Sequence, residues 1–122
     1  MLHSRHYTPA HEAFRTTVRR FMERECAPNR EAWQKDGKLP REIWLKAGEA
    51  GLLCTKMSPE FGGGGGDLFH GLIIMEEQTR ICFNELTFYL HSDIIAPVIE
   101  LYGTPDQKAR YLPGMARGEF VA

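Results

Sequence analysis

Residues 102–122, YGTPDQKARYLPGMARGEFVA, are written almost entirely in helix start and stop signals. They restrict what the chain can build. Thr104 is a good N-cap, Pro105 suits the first helical position, and Gln107 stands where a capping box wants Glu or Gln. Gly103 closes the helix before it. After Gly118 the run Glu119-Phe120-Val121-Ala122 reads as an incoming β-strand. A strand without a partner is not a stable ending. The expectation is therefore a helical domain over residues 1–117 and, at 118–122, the start of a β-domain in a larger protein.

The same punctuation runs through the rest of the chain. A first helix spans Thr8 to about Cys26, with Phe14, Val18, Phe21 and Met22 on one stripe and Arg15, Arg19, Arg20 and Glu23 on the other side. Pro28 ends it, and Asn29 caps a short helix through Trp33 to Lys35. A third helix begins at Leu39-Pro40, buries Ile43, Trp44, Ala47 and Ala50, and stops at Gly51. Leu52-Leu53-Cys54 reads as a buried extended segment, and residues 58–66, closing on five glycines, as a flexible loop. Asp67 caps a helix to about Cys82 whose apolar row is Leu68, Leu72, Met75 and Thr79, with Ile73 and Ile74 beside it. Residues 84–102 are apolar on most sides, which predicts a central helix buried on several faces, kinked or restarted at Pro97. A last helix runs from Pro105 to about Leu112, and Pro113 bends or restarts it. Five or six helices and no strand before residue 119 predict an all-α compact bundle.

Size and charge exclude several classes. A chain of 122 residues is one domain with its own core. A net charge of −1 argues against nucleic acid as a partner. No apolar run is long enough for a membrane span. The first fifteen residues carry His3, Arg5, His6, His11, Glu12 and Arg15, so there is no secretory h-region, and Thr8-Pro9 already opens a structural helix where a transit peptide would lie. Cys26, Cys54 and Cys82 are odd in number and have no metal-ligand spacing, which points to free thiols in a reducing cytoplasm and to no metal site.

No arrangement of residues marks a catalytic centre. The glycine run fails both phosphate-loop patterns, because Asp67 stands where a dinucleotide fingerprint needs glycine and no Lys follows. Glu76 and Glu77 diverge by about 100° on a helix and cannot act as an acid/base pair, whereas Glu76 and Arg80 at i, i+4 make a surface pair. His91-Ser92-Asp93 are consecutive, so they cannot converge as a triad; they form a polar notch satisfied by backbone or water, or one lining a cavity.

The order of these segments resembles the N-terminal helical domain of acyl-CoA dehydrogenases. The resemblance is carried by FRTTVRRFMERECAP at 14–28, LPREIWLKAGEAGLL at 39–53, SPEFGGGGGD at 58–67, MEEQTR at 75–80, HSDIIAPVIELYG at 91–103 and TPDQKARYLPGMARGE at 104–119. The His-Ser-Asp context and Glu-Glu-Gln look most similar to the long-chain branch. The resemblance implies FAD, held between two further domains, and α,β-desaturation of a fatty acyl-CoA. A glutamate base takes the α-proton, the flavin takes the β-hydride, and electrons pass to an electron-transferring flavoprotein. It also implies a homotetramer. The base and the family's T-E-P-x-A-G-S-D flavin motif would lie beyond Ala122, leaving this chain no catalytic or cofactor-binding residue and no activity alone. Its implied contribution is one wall of the acyl pocket, from Thr87, Leu90, His91 and Ile94, which share a face at i, i+3, i+4, i+7. An acyl-CoA oxidase domain and a free-standing helical interaction module are the alternative readings. A severed domain is also expected to expose an apolar patch and self-associate.

Overall fold

The computed structural model describes residues 6–122. Among them are six α-helices and no strand: α1 (Pro9–Phe21), α2 (Arg30–Asp36), α3 (Arg41–Glu49), α4 (Leu68–Arg80), α5 (Ala96–Tyr102) and α6 (Pro105–Arg117). α1 packs against α4, and α6 packs against both α3 and α5. The main core holds Val18, Phe21, Met22, Ile43, Trp44, Ile73, Phe83 and Phe88, and a second cluster holds Cys54, Met57, Ala96, Leu112 and Met115. No helix of the described residues is long and apolar enough to cross a membrane.

The helix starts fall where local chemistry puts them. Thr8, Asp67 and Thr104 each close a reciprocal capping box, with His11, His70 and Gln107 at the third helical position. Gly51 and Gly118 adopt left-handed conformations after α3 and α6. At Gly118 the shape is doubly required, because a Cβ would lie 2.0 Å from the Trp44 carbonyl oxygen.

The prolines behave differently from the sequence expectation. α1 passes into a π-helical turn, Met22–Cys26, then a 3₁₀ turn, Ala27–Asn29. A second π-helical turn, Leu90–Ile95, leads into α5. In both, the last amide reaches five residues back, Ala27 to Met22 and Ala96 to His91, and a proline follows. A wider turn relieves the conflict between a proline ring and the carbonyl four residues back, so helical backbone continues through both prolines. Pro113 does not end α6, which runs unbroken to Arg117. Burial of Leu112, Gly114, Met115 and Ala116 holds the helix through that position.

Three further expectations are corrected. Glu119–Ala122 is not a strand: the Glu119 and Phe120 amides both donate to the Gly114 carbonyl, and the Phe120 ring covers Gly114. With no neighbouring strand among the described residues, these residues fold back on the helix they follow. The glycine run is not a flexible connector. Gly63, Gly64, Gly65 and Gly66 donate to the carbonyls of Ser58, Cys54, Met57 and Thr55 at 2.7–3.3 Å. A Cβ on Gly63 would sit 2.2 Å from the Met57 oxygen, so the backbones meet only because side chains are missing. Finally, the helical segment within residues 84–102 starts at Phe88 and is not central. It buries Phe88, His91, Ser92 and Ala96 and leaves Leu90, Ile94, Ile95, Val98 and Leu101 exposed. The α4 row Leu68, Leu72 and Met75 is likewise exposed, and Ile73, Ile74 and Glu77 face the interior.

Candidate functional site

The four residues expected to form a pocket wall differ in burial. Leu90 and Ile94 stand on the exposed apolar side of the π-helical turn, 39% and 46% exposed. Thr87 is half-buried just before the helix, and its carbonyl accepts from the Leu90 and His91 amides at 3.1 and 3.5 Å. His91 is fully buried. Neighbouring helical residues diverge by about 100°, and that step turns His91 from the apolar side into the core, its ring 5.3 Å from that of Trp44.

Two members of the His-Ser-Asp notch are satisfied, while Asp93 keeps a buried Oδ1 without a hydrogen-bond partner. His91 Nε2 donates to the Met115 carbonyl at 2.8 Å, and its Nδ1 accepts from the Ala122 amide at 3.3 Å. Burial lowers the His91 pKa, against the opposing pull of the Met115 carbonyl, so the ring is neutral. Ser92 Oγ accepts from the Cys54 amide at 2.9 Å and supports Cys54 in its left-handed conformation. The Asp93 carboxyl faces Gly71 of α4, where a Cβ would lie 2.8 Å from Oδ1. Burial raises the Asp93 pKa. No nucleophile and base face one another here, and His91 and Ser92 tie this turn to Met115, Ala122 and Cys54.

The carboxylates of α4 are structural. Glu77 is fully buried and ion-paired to Arg19 at 2.7 Å, Arg80 at 3.1 Å and Arg15 at 3.5 Å. Burial works to raise its pKa, but Arg19 and Arg80 outweigh it and hold the carboxyl below its ordinary value. The expected Glu76–Arg80 surface pair is not formed. Glu76 instead takes Arg15 at 2.8 Å and the Tyr7 hydroxyl, while Arg80 pairs with Glu77 and Glu23. Arg15 is buried, contrary to its expected solvent side. The available signal was the i, i+4 spacing of Arg15 and Arg19 opposite an acidic pair on an otherwise apolar helix.

At the other end of the α1–α4 contact, the two caps share one carboxylate. His11 Nε2 donates to Asp67, with Oδ2 at 3.0 Å. His70 Nδ1 accepts the Asp67 amide at 3.1 Å and lies 3.0 Å from Oδ1. The glycine loop ending at Asp67 offers no phosphate cradle, because its amides are bonded to its own backbone.

Residues 8–119 match the family model described as the acyl-CoA dehydrogenase, N-terminal domain. The chain is 38% identical over 115 residues to the mitochondrial long-chain specific acyl-CoA dehydrogenase of Sus scrofa, covering 94% of this chain and 27% of that protein. A crystal structure of an acyl-CoA dehydrogenase from Geobacillus kaustophilus superposes with a TM-score of 0.90 at 36% identity, over 95% of this chain and 30% of the other. One from Bacillus anthracis, complexed with FAD, superposes at 0.78 with 28% identity, over 93% and 20%. The chain thus spans about 30% or less of these relatives. A helical fold and a family match over nearly its whole length place this chain in the acyl-CoA dehydrogenase family, as its N-terminal domain.

Proposed function

We propose that these residues form the N-terminal helical domain, 1–117 with 118–122 leading into a following domain, of an FAD-dependent enzyme that desaturates fatty acyl-CoA. The observation that carries this reading is the exposed apolar side of the π-helical turn and α5, in a chain of this family that spans under a third of its relatives. Leu90 and Ile94, with Thr87 at the edge, supply apolar surface that holds an alkyl tail and excludes water. His91 acts from behind: neutral and bonded to Met115, it fixes the helix that carries them. FAD, bound in the complete protein, would supply the hydride-accepting chemistry. The described residues of this chain do not fit it, since the glycine loop's amides are engaged, and its binding groups are assigned to the parts outside this span. An electron-transferring flavoprotein as acceptor, a homotetramer and a reducing cytoplasmic setting complete the proposal; the last is supported by three free cysteines.

The test is acyl-length selectivity in the complete protein. Ile94→Trp should reduce kcat/KM for the longest saturated acyl-CoA in a series at least tenfold, about 1.4 kcal/mol, and spare the shortest. An equal loss at every length would overturn the assignment of this face.

A further inference from the structure

Three metal-ligand side chains from two helices meet where α1 and α4 begin. His11, Asp67 and His70 each place one donor atom so that all lie within 4.8 Å of one another. Asp67 Oδ2 is 3.0 Å from His11 Nε2, Asp67 Oδ1 is 3.0 Å from His70 Nδ1, and the imidazole centroids are 4.9 Å apart. We propose that His11, Asp67 and His70 form a divalent-metal site, suited to Zn2+, that clamps the start of α1 to the start of α4.

Four observations support it. First, two imidazole nitrogens and one carboxylate oxygen are a zinc ligand set, with the fourth position left to water. The site is closed on the protein side, where the His11 side chain is 7% exposed, and open at Asp67, which is 52% exposed. Second, tetrahedral coordination at about 2.1 Å puts donors roughly 3.4 Å apart, so small side-chain shifts complete the set. Third, an outer partner is in place. His11 Nδ1 lies 3.0 Å from Thr8 Oγ1, which can accept the ring proton once the metal takes Nε2, provided that the Thr8 amide now donating to Nδ1 at 2.9 Å turns to another acceptor. Fourth, His70 Nδ1 accepts the Asp67 amide and also faces Asp67 Oδ1, so two acceptors stand 3.0 Å apart. Such a pair repels unless a cation or a proton sits between them. Against binding work the two helix N-termini, which favour anions, and the Asp67 amide, which must turn to water when the metal takes His70 Nδ1.

The experiment is calorimetric titration of the 122-residue chain with Zn2+, in a Cys82→Ser background because that thiol is exposed. Melts with and without metal accompany it. One Zn2+ should bind per chain and raise Tm, and Co2+ in its place should give the visible bands of a four-coordinate ion. Asp67→Asn keeps a good N-cap, so it should melt near the parent without metal yet bind Zn2+ at least tenfold more weakly. His70→Ala should weaken Zn2+ binding at least as much, with a lower metal-free Tm because it also removes a capping-box partner. Absence of binding, or binding unchanged in both variants and hence an adventitious ion only, would overturn the proposal.

Discussion

Replacing Glu77 by Gln tests how the α1–α4 contact is held. The substitution preserves shape and one acceptor oxygen but removes the charge, and it points an amide N–H₂ at an arginine donor. Glu77 is fully buried among Arg15, Arg19 and Arg80, whose side chains are 9%, 37% and 37% exposed. Charge-assisted hydrogen bonds contribute about 1.5–3 kcal/mol each, and breaking a buried pair costs about 3–5 kcal/mol. Arg19 and Arg80 can turn partly to water, which discounts both figures. The expected loss is about 2–3 kcal/mol at pH 7. For 122 residues the unfolding entropy is roughly 0.26 kcal/mol/K, so Tm should fall by about 10 °C in a calorimetric melt. The pH dependence sharpens the test. The Glu77 pKa is depressed in the fold, so its contribution is complete above the ordinary value of 4.5 and is lost as pH falls through the folded value. Parent and variant stabilities should converge on acidification from that point. A Tm change under about 2 °C, or a difference that persists undiminished in acid, would refute this account.

Other substitutions probe other parts. Gly63→Ala places a Cβ 2.2 Å from the Met57 carbonyl oxygen and should lower stability by about 2–3 kcal/mol in urea unfolding. Ser92→Ala strands the buried Cys54 amide and should cost about 1–3 kcal/mol by the same assay. A thiol reagent at pH 8 should label Cys82 at once, and Cys26 and Cys54 only as fast as the chain opens, because burial pushes both of those up to about 12. The exposed Val98, Leu101 and Tyr102 should make the isolated chain self-associate, and Leu101→Glu should lower its scattering mass.

Much of the fold is legible because its signals are local. Thr8, Asp67 and Thr104 announce helix starts by what stands three residues on, and Gly51 and Gly118 announce stops. The turns before Pro28 and Pro97 were not legible, because nothing in the sequence separates a proline that breaks a helix from one accommodated by a wider turn. Apolar character misled at Leu68, Leu72, Met75, Leu90 and Ile94. A residue apolar enough for the core is also apolar enough for a surface that another element covers, and periodicity does not distinguish them. On α4 the true inward side carries Glu77, which becomes a core residue only because Arg15 and Arg19 arrive from a helix 58 residues away in sequence. The His11–Asp67 link bridges 56 residues and was invisible for the same reason.

The central claim is that this helical unit serves as one part of a multi-domain flavoenzyme. Reading the coding sequence past the codon for Ala122 tests it most directly. The account predicts an open frame that continues for a few hundred codons, as further domains require, with a T-E-P-x-A-G-S-D-like segment near its start. A stop codon directly after Ala122 would contradict it and leave a free-standing helical module whose apolar face meets some other partner.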